Sequence, residues 1–253
     1  MSKDRFKSER TIEAFMKSTK WRGADGDAQV IDRYQEYVIR SRFRFREITK
    51  AIPCSRDSLK ILDIGTTPYT LFLKEIYPHY DILTLDLHRL MEDLCKAMGI
   101  PLTICNLDEG YIPFEDVCFD VVIFSEVLEH LFIPPTEILK EIRRVLRERG
   151  KLILSVPNLA ALYQRIRLLF GVSPLPNADL QMSRFSHGHI HEYTMKEIAS
   201  LLRTSGFTIV CAKYVRAYGA KGTGISRLMR EVYDPLVFLI PPFRSTIHIE
   251  CYR

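Results

Sequence analysis

Apolar positions along this chain recur at two spacings, and the two alternate. In residues 29–50 (QVIDRYQEYVIRSRFRFREITK), Val30, Ile31, Tyr34 and Val38 stand among polar residues at helical intervals, which predicts an amphipathic helix ahead of everything else. From Leu59 onward, apolar runs of strand length near 59–64, 81–86, 101–105, 119–124, 151–156 and 207–215 alternate with helical patterns near 68–77, 89–98, 136–148 and 194–204. That alternation predicts a parallel, doubly wound α/β sheet. The 136–148 pattern is the clearest, with Ile138, Leu139, Ile142, Val145 and Leu146 on one face and Gly150 beyond its end as a C-cap. The last stretch, from Ser226, reads as a helix followed by a strand from Thr246 to Tyr252.

The stretch Leu59 to His88 (LKILDIGTTPYTLFLKEIYPHYDILTLDLH) carries the first chemical signal. The run to Ile64 stops at Gly65, where a tight turn favours a residue without a Cβ. Thr67 is placed to N-cap the next helix, Pro68 suits its first position, and Pro78 ends it. The second run ends at Asp86, about twenty residues past the glycine, where a carboxylate is expected to bind the two hydroxyls of a ribose. A solitary Gly65 is equally compatible with a plain structural turn, since Thr66, Thr67 and Pro68 occupy places where a dinucleotide fingerprint carries further glycine.

The order of parts beyond this unit narrows the choice. LDIG after the first strand, Asp86 after the second, FDVVIFSEVLEHL around the fourth and VLRERGKLILSVPN through the fifth together resemble the class I S-adenosylmethionine-dependent methyltransferases, over roughly Leu59 to Phe207. Within them the chain is similar to the group holding quinone-precursor O-methyltransferases and enzymes of sugar and natural-product pathways. The resemblance implies a Rossmann-like seven-stranded sheet with an antiparallel last strand. It departs at Thr67 and Tyr69, where small residues or glycine are usual, and at Arg149, where a second glycine commonly precedes the strand. It also implies S-adenosyl-L-methionine as cofactor. Asp63 and the backbone of Gly65, Thr66 and Thr67 then lie against its methionyl part, Asp86 binds ribose, Leu87 packs on adenine, and Asn106 and Leu107 meet the adenine ring, with Asp108 competing. Ser125 lines the path to the methyl group.

Glu126, Glu129 and His130 follow at spacing i, i+3, i+4, so one helical turn would put all three on a single face. Three readings stay open. His130, with an unperturbed pKa near ~6.5, suits a general base for a hydroxyl acceptor beside the two carboxylates. Glu129 and His130 serve equally as loop-fixing groups. The third is a divalent metal held with His187, His189 and His191 of FSHGHIHEYT, a pattern similar to that of the small-RNA 3′-terminal 2′-O-methyltransferases. The expectation adopted assigns no metal ligands and makes His130, Glu126 and Glu129 catalytic, in methyl transfer to a hydroxyl or amine of a small molecule such as a sugar, quinone or polyketide precursor. A metal-dependent RNA ribose 2′-O-methyltransferase and a non-catalytic nucleoside-binding protein are the alternatives.

Composition adds organisation. At 253 residues and 47% hydrophobic, the chain suits one catalytic domain with additions: a helical cap over 1–55, a methyltransferase domain over 56–253, and an inserted segment 217–243 that shapes the acceptor pocket or packs the domain. The net charge of +5 sits entirely in residues 1–50, with 13 Lys and Arg against 8 Asp and Glu, whereas the remainder holds 23 of each. A charge-neutral core argues against nucleic acid as partner. The six cysteines form no C-x-x-C pair, which suits a reducing cytoplasm. The longest late apolar run, Leu236 to Ile240, is too short for a transmembrane span, and it fits a homodimer contact as readily as a pocket.

Overall fold

A computed structural model describes residues 14–15, 28–175, 188–216 and 227–253. Seven strands form one sheet: β1 Lys60–Ile64, β2 Asp81–Asp86, β3 Leu102–Ile104, β4 Phe119–Ser125, β5 Leu146–Pro157, β6 Thr208–Val215 and β7 Thr246–Tyr252. Their spatial order is β3-β2-β1-β4-β5-β7-β6. Strands β1 to β5 pair in parallel, and β7 runs antiparallel between β5 and β6, as the resemblance implied. The strand order reverses at β1, so the carboxyl ends of β1 and β4 open onto the crevice where such sheets bind ligands.

Side chains alternate across this sheet. Leu62, Ile64, Val122, Phe124, Leu152 and Leu154 face α4 (Pro135–Val145) and α6 (Met195–Thr204). Ile61, Ile82, Val121, Ile123 and Ile153 face the other way, onto α1 (Ala28–Ala51), α2 (Pro68–Ile76) and α3 (Glu92–Ala97). The helix α1 is the one the opening pattern predicts. Val30, Ile31 and Tyr34 fall outside the side chains described, but Val38, Ser41, Arg44, Phe45 and Ile48 form a buried stripe along it.

Helix α1 does more than precede the core, because its last turns lie across β5, β7 and β6. Lys151 Nζ donates to the Ala51 carbonyl at 2.7 Å and pairs with Glu250 at 2.6 Å. Lys213 pairs with Glu47 at 2.7 Å, and Lys50 reaches the same carboxylate at 2.9 Å. Burial alone would raise the Glu47 carboxyl, but its bonds to Lys213 and Lys50 bring it down to about 2. Glu250 is likewise held at about 2, by His248 first and, against the opposing effect of burial, by Lys151.

Helix 136–148 is shorter than its apolar pattern predicts. It stops at Val145, and Leu146 turns extended to enter β5. The β4–β5 pairing then jumps from Phe119↔Leu146 to Val121↔Lys151, so that residues 147–150 loop out opposite Asp120. Arg147 fixes this excursion with bonds to both Asp120 oxygens, at 2.8 and 2.9 Å. Gly150 is therefore no helix cap. A Cβ there would lie 2.7 Å from the Arg147 carbonyl oxygen, and the left-handed position belongs to Arg149, at φ 61°. The pattern near 89–98 shrinks to α3. Helix α5 (Leu162–Leu169) escapes the sequence reading, because it has no buried side chain and thus no inward stripe to see. Helix α7 (Arg227–Leu239) and the turn Pro241–Phe243 occupy the described part of the 217–243 segment; 217–226 lie outside the described residues.

Candidate active site

The turn after β1 is held from within. Gly65 has φ 90°, and a Cβ on it would sit 2.8 Å from the Val127 side chain, so only glycine passes between β1 and the segment after β4. Gly65 N–H donates to the Leu85 carbonyl at 2.9 Å, Thr66 N–H to Asp86 Oδ2 at 2.7 Å, and Thr67 N–H to Thr70 Oγ1 at 3.1 Å. Thr67 caps α2 as its position predicts, with its side chain accepting from Tyr69 N–H. The Thr70 hydroxyl in turn donates to Asp63 Oδ2 at 2.7 Å. Burial, and then the Asp86 charge, push the Asp63 carboxyl up to about 7 against the Thr70 bond.

Tyr69, which departs from the family's small residues, does not enter this turn. Its ring stacks on Phe45 of α1 at 4.3 Å and its hydroxyl bonds Thr49 at 2.8 Å, inside the apolar layer. On the next strand, Asp86 also accepts from His88 N–H at 2.8 Å, which fixes the carboxylate at the sheet's rim, and Leu87 is 45% exposed beside it. Beyond β3, Asn106 accepts from Asp108 N–H at 3.1 Å, Leu107 is buried, and Asp108 Oδ1 holds Phe132 N–H at 2.7 Å. Asp108 thus ties this loop to the segment after β4.

The end of β4 is built differently. Glu126 adopts φ 56°, while only Leu128–His130 form a 3₁₀ turn, so the three residues predicted to share one helical face do not. Glu126 instead points to α1, where its Oε2 lies 2.9 Å from Arg44 Nη1. Arg44 is wholly buried, hydrogen-bonds Tyr37 and lies over the Phe45 ring. Glu129 is wholly buried as well, and neither of its carboxyl oxygens finds a hydrogen-bond partner among the described residues. Ser125 Oγ and Glu126 Oε1 are buried and unbonded in the same sense. Burial first, and then the Glu126 charge, raise the Glu129 carboxyl well above its ordinary range, which favours its neutral form at its 4.0 Å approach to His130 Nε2.

The histidine segment closes over this cluster. His130 Nδ1 lies 3.2 Å from the Gly188 carbonyl, which can only accept, so Nδ1 carries a proton and in the neutral ring Nε2 is the accepting nitrogen. The backbone N–H groups of Ile190 and His191 donate to the Glu129 carbonyl, pinning the segment down. His189 sits 5.0 Å ring to ring from His130, its Nδ1 bonded to Glu192 Oε1 at 2.8 Å. His191 belongs elsewhere: it bonds Glu197, the residue that completes the capping box of α6 with Thr194. His187 lies outside the described residues. Facing atoms of Glu129, His130 and His189 all lie within 4.8 Å of one another.

The turn after β1, bonded to Asp86 at the end of β2, and a cluster of underused polar groups at the end of β4 therefore share one edge of the sheet. The model of a methyltransferase-domain family matches residues 32–212, which takes in both. The chain belongs to that family. It is a class I S-adenosylmethionine-dependent methyltransferase, and no functionally curated protein matches it. Among solved structures, a methyltransferase of Archaeoglobus fulgidus aligns at TM-score 0.60 and 15% identity, over 90% of this chain and all 100% of its own. A methyltransferase of Methanosarcina mazei aligns at TM-score 0.56 and 19% identity, over 82% of this chain and 96% of its own. A Haloferax volcanii methyltransferase, solved in complex with its Trm112 activator, reaches TM-score 0.60 and 14% identity, over 87% and 92%. At these identities the likeness is one of fold.

Sequence reasoning on this methyltransferase missed Arg44 and Tyr37. The available signal was Ser41 and Arg44 interrupting an otherwise apolar helical stripe between Val38 and Ile48.

Proposed function

We propose that this enzyme transfers a methyl group to a hydroxyl or amine of a small molecule, with a sugar, quinone or polyketide precursor as the acceptor class. The observation carrying the reading is the set of buried, unbonded polar atoms Ser125 Oγ, Glu126 Oε1 and both Glu129 oxygens beside His130. Such atoms are costly to bury unless a ligand completes them. The sulfonium of S-adenosylmethionine supplies an already activated methyl, so the residues need only align the acceptor and take its proton. In this reading Asp86 binds the ribose hydroxyls and Leu87 covers the adenine. Asn106 and Leu107 border the adenine ring beyond β3. The N–H groups of Gly65, Thr66 and Thr67 are already engaged inside the protein, so that turn offers carbonyl oxygen, which suits the methionyl ammonium, with Asp63 bracing the turn through Thr70. Ser125 lines the methyl's path, Glu126 and Glu129 hydrogen-bond the acceptor, and His130 Nε2 accepts its proton.

A second reading has its own observation in Glu129, His130 and His189. Each imidazole is oriented through Nδ1, one by a carbonyl and one by a carboxylate, as metal-ligating histidines usually are, and an unbonded carboxylate faces both. A divalent ion at these three groups would orient two neighbouring hydroxyls of the acceptor. Nucleic acid is disfavoured as that acceptor by the charge balance of residues 51–253. Six free cysteines fit a reducing cytoplasm, and among the described residues no helix is long and apolar enough to cross a membrane.

Calorimetric titration with S-adenosylhomocysteine tests the cofactor half. One-to-one binding is expected, weakened by about 1.5–3 kcal/mol in Asp86→Ala, the scale of hydrogen bonds to a charged group. Unchanged affinity in that variant would overturn the assignment of the second strand. Titration with Mn²⁺ separates the two readings: saturable binding lost in His189→Ala supports the metal, and no binding leaves the base.

A further inference from the structure

Large apolar side chains are exposed at the ends of two helices that pack on a common turn. Leu169 and Phe170, at the end of α5, are 81% and 77% exposed; Phe238 and Leu239, at the end of α7, are 70% and 72% exposed. The two helices are neighbours, since both pack on the turn Pro241–Phe243, and Arg165 of α5 lies 5.7 Å from the Phe243 ring. Elsewhere the amphipathic helices α4 and α6 bury their apolar stripes, whereas α5 buries none of its residues. Solvated loops do not call for four such residues at two adjoining helix ends.

The charge around these side chains is mainly basic, since Asp234, one turn before Phe238 on α7, is paired with Arg216 at 2.8 Å. Residues 159–175 and 235–249 contain Arg165, Arg167 and Arg244 and no aspartate or glutamate. Among the described residues none of the three arginines pairs with a carboxylate. Arg165 donates to the Ala160 carbonyl, Arg167 to the Tyr163 hydroxyl, and Arg244 to the carbonyls of Tyr214, Val237 and Phe238. By contrast Arg144, Arg147 and Arg216 each pair with a carboxylate. Exposed leucine and phenylalanine beside three guanidinium groups that pair with no carboxylate, the nearby Asp234 being taken by Arg216, match the two requirements of an interface that is apolar below and anionic above.

We propose that the face made by the ends of α5 and α7 docks on the surface of an anionic lipid bilayer. Leu169, Phe170, Phe238 and Leu239 enter the headgroup–acyl boundary, and Arg165, Arg167 and Arg244 meet lipid phosphates. The same helix α5 reaches the candidate acceptor end, because Gln164 donates to Glu192 at 3.2 Å and Glu192 holds His189. Docking therefore sets the acceptor end of the enzyme one helix away from the membrane surface. This surface stands independently of which acceptor the site takes.

The test is co-sedimentation of the full chain with vesicles of phosphatidylcholine alone and of a phosphatidylcholine–phosphatidylglycerol mixture. Partitioning into the mixture is expected to exceed that into the neutral lipid by about 10–100-fold and to fall with added salt. The quadruple variant Leu169→Ser, Phe170→Ser, Phe238→Ser, Leu239→Ser should lose at least ~10-fold of the binding, with thermal unfolding and S-adenosylhomocysteine affinity unchanged, since all four side chains are exposed. Arg165→Gln should lose about fivefold on the anionic vesicles only. No sedimentation with either lipid overturns the proposal, as does equal binding by the quadruple variant. A dimer in light scattering that the quadruple variant converts to monomer, without vesicle binding, assigns the face to a second copy of the chain and overturns it too.

Discussion

The polar groups under α1, which are partly buried, and those at the end of β4, where Glu129 is wholly buried, are treated in opposite ways. Beneath α1, Glu47 and Glu250 share Lys50, Lys151, Lys213 and His248, and both carboxyls are held down to about 2. At the end of β4, Glu129 has no hydrogen-bond partner among the described residues for either oxygen and is driven far upward, although the same helix supplies Arg44 nearby. One arrangement closes its hydrogen bonds to fasten a helix onto three strands. The other leaves them open, which costs stability and makes sense only where a ligand arrives.

The largest effect that sharpens this contrast is at His130. Changing His130→Ala should reduce turnover by about 10²–10⁴-fold, the usual contribution of a general base, with thermal stability nearly unchanged and cofactor affinity within a few fold. Should stability and turnover fall together, His130 is holding the Gly188 loop rather than doing chemistry. The mirror experiment is Lys151→Met. It strips Glu250 of one partner and the Ala51 carbonyl of its donor, and about 3 kcal/mol of stability should go, at the low end for a broken buried pair because His248 and Lys213 remain beside Glu250. Turnover per folded molecule should stay at the wild-type value; a drop would mean that α1 transmits its seating to the site through Arg44.

Both outcomes bear on what the sequence could reveal. Strand and helix order and the Gly65–Asp86 turn were legible because each is a local signal: an apolar period, a residue without a Cβ, an acid at a fixed distance; the reversed last strand came only from the family resemblance. The grouping of Glu129 and His130 was legible for the same reason. Glu126 leaving that group for Arg44 was not, since it depends on a left-handed backbone at one residue and a partner 82 positions earlier in the chain. The true end of α4 was hidden by Leu146, which continues the helical apolar period while serving β5. Helix α5 was hidden for the opposite reason, having no buried face.

Acidity separates the two regions further. Asp63, raised from 3.8 to about 7, binds its proton more tightly folded than unfolded, so its contribution to stability is complete below about pH 4 and is lost as pH rises to about 7. Glu129 acts in the same direction. Glu47 and Glu250, lowered from 4.5 to about 2, release their protons more readily when folded, so their contribution is present above pH 4.5 and is lost as pH falls toward 2. Denaturant titrations across pH should therefore show an acid loss of stability as Glu47 and Glu250 protonate, and between pH 4 and 7 a decline from Asp63 that the buried His248, its imidazole lowered by burial, partly offsets. Asp63→Asn should flatten part of the decline between pH 4 and 7 and leave the acid limb alone; a flat profile in the unmodified protein would show that water or a bound ion relieves the buried carboxyls.

The smallest effect compares two residues in the same unfavourable conformation. Arg149 and Glu126 both hold left-handed backbone, at φ 61° and 56°, which costs a residue bearing a Cβ roughly 1–2 kcal/mol. The Arg149 side chain is exposed and, among the described residues, makes no hydrogen bond or ion pair, so Arg149→Gly chiefly removes strain. Set against the greater entropy that glycine loses on folding, about 0.5–1 kcal/mol of stability should remain, read as a small rise in the denaturant midpoint at unchanged slope. The same relief at Glu126 is outweighed, since glycine there would leave Arg44 buried without its carboxylate. If Glu126→Gly also stabilised the fold, the Arg44 pair would be dispensable to folding, and the strain at Glu126 would be accounted for by ligand binding alone.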